Sequence, residues 1–442
     1  MDYNLACTEV LNHVEVGCRI LHTPVWTQIG DTDHLPEVGF KLHVSAGLDN
    51  AGDVLLRVAE QLVGQVPFKF ARDAHTVATL NMGTLGIAQA GKVITVYPQD
   101  VAEFFSVVDT LRAALGRQSG PRPLSDCAVP DSDCLYYRYG SLVTKGTDVE
   151  DPGLEAGRER FPGCALPEGV ENPFGEEGGP SKGESALFAG RYLVTRSLSM
   201  RGKGGVFEAL DFSAKPGSCL PQRVVLKEAR AFAERDSCGV DAVDRLNRQC
   251  RFLDVLGDLP AVPAVIDTFV FDSSTFVVLK YIDGAGTLVR AGTGSDSPIF
   301  GADLECALRY FLNAMVRPCH ARGVLLNDIS SGNLFMDDRN GRVWMCDLEE
   351  ATMRSMDVDP YVPLATPGYL SPAWPRPSRE RDLFALMRVA LFAAHPAWHT
   401  SILSNEEGAF WKPAFSSLDC MHRFCKRICK EEGLDAREVF YL

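Results

Sequence analysis

The stretch from Gly323 to Ala351, GVLLNDISSGNLFMDDRNGRVWMCDLEEA, constrains this chain more than any other. Asp328 is followed five residues later by Asn333, which opens the apolar run Leu334 to Met336, and Asp347 follows a second run, Val343 to Cys346. Short apolar runs separated by turn-forming residues read as a loop and two short strands. Asp and Asn also punctuate ordinary turns. Here their spacing suits phosphoryl transfer: one carboxylate orients an attacking hydroxyl, while an amide oxygen and a second carboxylate hold Mg2+ against nucleotide phosphates.

Two further features flank this stretch at distances that fit. Upstream, Arg223 to Lys227 (RVVLK) is a β-branched run ending in a lysine, preceded by the segment MRGKGGVFEALD from Met200 to Asp211, which reads as turn-rich. Gly202, Gly204 and Gly205 would let backbone amides approach phosphates, and Lys227 would bridge to them. Downstream lie ATPGYLSP, from Ala365 to Pro372, and a helix-period run from Glu380 to Ala394 that carries Asp382. Between them the strand Phe276 to Leu279 and the turn Tyr281 to Gly284 suit a hinge between two lobes. Together these motifs resemble the protein kinases. The resemblance makes Asp328 the catalytic carboxylate and Asn333 and Asp347 the Mg2+ ligands, with ATP or another nucleoside triphosphate as co-substrate. It departs at one point: the helix carrying Val243, Leu246, Cys250 and Leu253 should present a glutamate to Lys227, and the aligned position is Gln249.

A length of 442 residues allows two to three domains of ordinary globular composition. The N-terminus has no basic region followed by an apolar run, and no apolar stretch approaches bilayer length, so a cytoplasmic protein without a membrane partner is expected. A net charge of −14 argues against general nucleic-acid binding. The 14 cysteines lack regular spacing and read as free thiols, mostly buried. Cys420, His422, Cys425 and Cys429 invite a zinc reading, yet their helical spacing reads better as an amphipathic helix. After a first 40 residues without firm period, strands are expected at Gly39 to Val44, Val66 to Phe70, Lys92 to Tyr97 and Leu135 to Tyr139, with helices at Asp53 to Val63 and Val101 to Leu115. The fold class is α+β, with a domain over 1–150, a Gly/Pro/Glu-rich linker over 151–185 and a second domain over 186–442.

In the first domain the informative residues are strand-borne cations: Lys41 and His43 in KLH, Lys69 and Arg72 in PFKFARD, Lys92 in GKVITVYP, and Arg138 in YYRYG. Positions 41 and 43 share one face of a strand, so an ammonium and an imidazole project together. Such residues are commonly the solvated face of a half-buried strand, but each sits inside an aromatic or β-branched run. KLHVSA, VPFKFARD, GKVITVYP and YYRYG together resemble the N-terminal lyase domain of class III and class IV lanthipeptide synthetases, itself similar to effector-type phosphothreonine lyases. Those synthetases carry a two-lobed protein-kinase-like domain directly afterwards, with motifs similar to VVLKEAR and GVLLNDISSGNLF.

The resemblance implies a bifunctional enzyme: a kinase phosphorylates Ser and Thr of a ribosomally made precursor peptide with a leader, and a lyase eliminates the phosphate to leave dehydroalanine or dehydrobutyrine. It makes Lys69 the base at Cα and His43 the acid at the departing phosphate. Lys41 and Arg138 become phosphate ligands, with Arg72, Lys92 and Tyr97 as further candidates. A lysine base must be neutral, so burial and neighbouring cations are expected to lower its pKa. The family usually carries an Arg shortly before the GKVITVYP strand, where this chain reads GIAQAGK, and the catalytic loop reads LLND. The family continues into a cyclase domain, which leaves two expectations: a shortened form, or a stand-alone dehydratase whose rings a separate cyclase or tailoring enzyme closes. A second reading from a different class is a non-catalytic module that binds leader peptides or scaffolds enzymes, built on a pseudokinase.

Overall fold

The computed structural model describes residues 1–14, 18–142, 166, 169–175, 187–213, 220–236, 239–271, 273–288, 302–337, 339–353, 366–371, 373–394 and 420–435. Most of the expected linker, together with Ala365 and Pro372 of ATPGYLSP, lies outside the described residues. The elements are mixed α and β, in several sheets. Two compact units result: Met1–Asp244 with Thr268–Phe276, and Arg245–Asp267 with Val277–Leu442.

Period-two alternation builds the first unit. β1 (Ile20–His22), β2 (Trp26–Ile29), β3 (Val38–Val44), β4 (Phe68–Ala71), β5 (Ile94–Val96), β6 (Cys127–Ala128) and β7 (Leu135–Ser141) form an antiparallel sheet in the order β1-β2-β4-β5-β3-β7-β6. One face carries Phe40, Leu42, Val44, Phe68, Phe70, Ile94, Val96, Leu135 and Tyr137, all in the core. Four helices lie on this unit: α1 (Tyr3–His13), α2 (Ala51–Leu62), α3 (Ala74–Met82) and α4 (Val101–Leu115). Aspartates cap three of them, Asp2, Asp73 and Asp100 each accepting from first-turn amides. In α2 the buried Val54, Leu55, Val58 and Leu62 make the stripe that its spacing predicts. The first 40 residues, without a legible period, contribute α1, β1 and β2. Their signals are weak because α1 buries Tyr3, Ala6, Cys7 and Val10, and β1 is exposed throughout.

The segment MRGKGGVFEALD is mostly strand rather than turn. β8 (Tyr192–Arg201) and β9 (Gly204–Asp211) pair from Arg201↔Gly204 onward, leaving Gly202 and Lys203 as a two-residue turn. Glycine suits such turns, and Gly204 stands at φ +152°. β10 (Gln222–Arg230) pairs with β9 and sets Lys227 opposite Val206. β11 (Val265–Phe271) and β12 (Ser274–Lys280) carry the chain across the boundary between units.

The second unit takes most of α5 (Ala242–Val255), then β13 (Ala285–Thr287), α6 (Ala302–Phe311), α7 (Arg317–Ala321), β14 (Val324–Leu325), β15 (Leu334–Asp337), β16 (Arg342–Met345), β17 (Thr352–Met353), α8 (Arg379–Ala394) and α9 (Cys420–Glu432). β13, β15 and β16 make one small sheet, and β14 pairs with β17. α8 is buried from Arg381 to Phe392, as expected of a central helix. α9 packs on it, with Cys425 Sγ 3.8 Å from the Met387 carbonyl and Cys429 Sγ 3.8 Å from Met387 Sδ. Buried free thiols include Cys7, Cys134, Cys319, Cys425 and Cys429, whereas Cys127 departs from the free-thiol expectation and is disulfide-bonded. Among the described residues no helix is long and apolar enough to cross a membrane.

Candidate functional site

The same alternation that fills the core turns a polar row to the opposite face of the first sheet. Direct cross-strand partners project to one side, and the register aligns Lys69 with Gln28 and Thr95, and His43 with Thr95 and Tyr136. Thr95 therefore stands between Lys69 and His43, whose Cα atoms lie two strand spacings apart, roughly 10 Å. Two residues along β3, Lys41 faces Arg138 directly. An amine, an imidazole and a phosphate-sized pair of cations thus share one sheet face. The Lys69 ammonium sits 4.6 Å from the centroid of the Trp26 ring. A face-on aromatic ring fixes an ammonium without occupying its hydrogen-bond donors.

His43 is part of a buried trio that motif reading missed. Its Nδ1 lies 2.5 Å from Asp126 Oδ2, and Lys92 Nζ lies 3.0 Å from Asp126 Oδ1 and 2.9 Å from Ser125 Oγ. Asp126 is 1% exposed and Lys92 3%. Burial alone would raise the Asp126 carboxyl, but His43 and Lys92 outweigh it and hold the group well below the usual carboxylate range. Burial dominates at His43 and pushes the imidazole down to about 4, against the opposing pull of Asp126. At neutral pH the site then holds an Asp126 carboxylate and a neutral imidazole donating Nδ1–H to it, which leaves Nε2 for chemistry. Lys92, expected as a phosphate ligand, has its ammonium on Asp126 and Ser125. Asp126 had little sequence signal, since it lies in the irregular PRPLSDCAVP.

The remaining candidates of this unit lie elsewhere. Tyr97, one residue past β5, is buried with Leu35 and Leu142. Arg72 lines a cleft of about 680 Å³ with Asn4, Cys7, His22, Thr27 and Asp73. Lys227 is 9% exposed on β10. The amides of Gly202 and Gly205 are engaged by protein oxygens, Met82 O at 3.1 Å and Glu228 Oε2 at 2.9 Å.

In the second unit a side-chain bond joins Asp328 and Asn333, and a backbone bond ties Asn333 to the residue before Asp347. Asn333 Nδ2 donates to Asp328 Oδ2 at 2.7 Å and to its carbonyl at 3.0 Å, and Cys346 N donates to the Asn333 carbonyl at 3.2 Å, one residue before Asp347. Asp328 Oδ1 accepts from Thr366 N and Oγ1, both at 2.7 Å. Asp347 Oδ1 accepts from Glu349 N at 3.1 Å. Gln249 is fully buried and gives Nε2 to the Cys346 carbonyl at 3.0 Å, so it steadies the strand leading to Asp347. Asp382 braces the loop from beneath, accepting from Leu326 N at 2.8 Å, Asn327 N at 2.7 Å and His320 Nε2 at 2.9 Å.

Residues 8–180 match a family described as RamC, N-terminal domain. That span holds the whole polar row and the buried trio. Across 394 residues the chain is also 32% identical to the "Probable SapB synthase" of Streptomyces coelicolor, an alignment covering 83% of this chain and 41% of that protein. The alignment is too long to be confined to the RamC-type segment. The chain spans about two fifths of the length of that relative.

Proposed function

We propose that this protein acts in lanthipeptide-type biosynthesis, dehydrating Ser and Thr of a ribosomally made, leader-bearing precursor peptide in two steps: phosphorylation, then β-elimination. The observation that carries the reading is the single sheet face presenting Lys69, His43 and the facing pair Lys41 and Arg138. The similarity to a RamC-type N-terminal domain and to a probable SapB synthase supports it. Hydroxide leaves poorly, whereas phosphate leaves well, which is why a transfer step precedes elimination. Lys41 and Arg138 bind the phosphate, the arginine as a two-pronged donor. The Lys69 amine takes the Cα proton. The released electron pair forms the Cα=Cβ bond, the Cβ–O bond breaks, and His43, protonated at Nε2 when the negatively charged phosphate binds beside it, gives that proton to the departing phosphate. Asp126 orients His43 and stabilises the protonated ring.

The transfer step is assigned to the second unit, with Asp328 orienting the peptide hydroxyl and accepting its proton. Asn333 and Asp347 offer hard oxygen donors of the kind Mg2+ takes alongside phosphates and water. Mg2+ bound there would neutralise charge on the transferring phosphoryl group of ATP or another nucleoside triphosphate.

Incubation of a Ser/Thr-rich precursor peptide with Mg2+ and nucleotide, followed by mass spectrometry, tests this. The wild type should remove one water per modified residue. Lys69→Ala or His43→Ala should instead accumulate phosphopeptide, and Asp328→Asn should leave the peptide unmodified. Dehydration at the native rate by either of the first two variants would refute the elimination site. The engaged amides of Gly202 and Gly205 favour a second reading, a leader-binding or scaffolding module on a pseudokinase. A Mg2+-dependent rise in Tm with nucleotide would count against it.

A further inference from the structure

The tip of the β8–β9 hairpin is docked by its backbone on the end of α3. Gly202 N donates to the Met82 carbonyl at 3.1 Å. The fit admits only glycine, because a Cβ at position 202 would lie 1.7 Å from the Asn81 carbonyl oxygen and 2.9 Å from Met82 C. The hairpin side of the contact is stiff. Arg230, 4% exposed, donates Nη1 to the carbonyls of Arg201 and Gly202 at 3.2 and 3.3 Å, and its amide to Lys203 O at 2.9 Å. Glu228 in turn holds Arg230 at 3.1 Å and the Gly205 amide at 2.9 Å. Beyond β10, Arg235 adds a second anchor, to Asp49 at 3.3 Å and Ser119 Oγ at 3.0 Å.

Two tethers run from the docking point to the surroundings of His43. Asn81 Nδ2 donates to the Ala46 carbonyl at 2.9 Å, three residues beyond His43 on the same chain. The other follows the chain past α3, which ends at Gly83 with φ +76°, into the turn Ile87–Gln89. There Ala88 O accepts from Ser125 Oγ at 3.3 Å, Ser125 Oγ accepts from Lys92 Nζ at 2.9 Å, and Lys92 and His43 share Asp126.

We infer that the Gly202 turn is a positioning element of the elimination site: docked on α3, it holds the segments that seat Lys92, Asp126 and His43. The inference rests on the elimination reading above. It has a consequence for ligands, because one amide serves one acceptor well. A nucleoside triphosphate that draws the Gly202 amide to its own oxygens takes it from Met82, so nucleotide binding should slow elimination.

Elimination from a synthetic phosphothreonine peptide by the full chain needs no nucleotide, so a turn serving nucleotide alone would leave it unmoved. Gly202→Ala should lower kcat by roughly tenfold to a hundredfold with KM little changed, the size expected from small misplacement of catalytic groups. Its pH profile should shift as well. Arg196→Ala, which removes an exposed ion pair on the same hairpin, should stay within about twofold of wild type. A non-hydrolysable ATP analogue with Mg2+ should slow the wild type and leave the residual rate of Gly202→Ala unchanged. A wild-type kcat in Gly202→Ala overturns the inference. Should that variant fail to fold, Asn81→Ala keeps the turn and the Met82 carbonyl but cuts the tether to Ala46; a wild-type rate there overturns it equally. Absence of elimination by the wild type would instead strike the elimination reading itself.

Discussion

Burial sets the charges of His43, Asp126 and Lys92 through one another. A buried carboxylate needs a cation to stay ionised, and Lys92 at 3.0 Å supplies it. A buried imidazole resists protonation, and the carboxylate at 2.5 Å is what keeps its pKa from falling below about 4. A bound phosphate brings further negative charge near Nε2 and raises that pKa toward the working range. Asp126→Asn removes the group that favours imidazolium, so the protonated fraction of His43 falls at every pH above its pKa. The alkaline limb of kcat for elimination should then move to lower pH, and kcat should fall about 10²–10⁴-fold, the range of a lost acid catalyst. The same change strands the Lys92 ammonium in the interior, at a cost of about 3–5 kcal/mol in urea unfolding. Asp126→Asn combined with Lys92→Met deletes both charges. Stability should return in the double variant while the rate does not; recovery of both together would reduce Asp126 to a structural role.

At the scale of elements, α8 matters to the second unit because Asp382 satisfies the backbone of the loop before Asp328. Asn327 stands at φ +62°, the left-handed region that asparagine enters more readily than most non-glycine residues. Asp382→Ala leaves the buried amides of Leu326 and Asn327 and the His320 ring without their acceptor. Urea unfolding of the second unit should show a loss of about 3–5 kcal/mol, with phosphoryl transfer abolished; a loss below about 1 kcal/mol would mean the loop is held some other way. Asp382 stood out in the sequence because it is carried by the helix-period run from Glu380 to Ala394. β3, β7 and α4 were legible for the same reason, since period-two and period-3.6 burial leave a pattern in the residue types. β1 and β2 were not, being short and partly exposed. The glycine segment misled because a two-residue turn needs few glycines, and Gly204 and Gly205 belong to β9 instead. On the candidate face, Lys41, His43, Lys69 and Arg138 followed from strand parity and family resemblance. Asp126 reaches His43 across 83 residues from an irregular segment, and Trp26 meets Lys69 only through the β2–β4 pairing, so neither contact has a local signature.

At the scale of the whole molecule, the proposed proton-transfer residues of the two steps fall in different units. Lys69, His43, Asp126, Lys41 and Arg138 belong to one compact unit, and Asp328, Asn333 and Asp347 to the other. The elimination candidates lie in one unit and the carboxylate proposed to orient the peptide hydroxyl, Asp328, lies in the other, so each step should be removable alone. Lys69→Ala should still phosphorylate the precursor, and Asp328→Asn should still eliminate phosphate from a synthetic phosphopeptide. Mixed together with precursor, Mg2+ and nucleotide, these two variants should yield dehydrated peptide that neither makes alone. The yield should rise with the concentration of the Asp328→Asn protein, because the intermediate must leave one molecule and find another. If both half-reactions proceed and the mixture still gives only phosphopeptide, the intermediate passes between steps without release, and the two units work as one processive device. If Asp328→Asn cannot eliminate from a ready-made phosphopeptide, the division itself fails, since a residue of the second unit would then be needed for the chemistry assigned to the first.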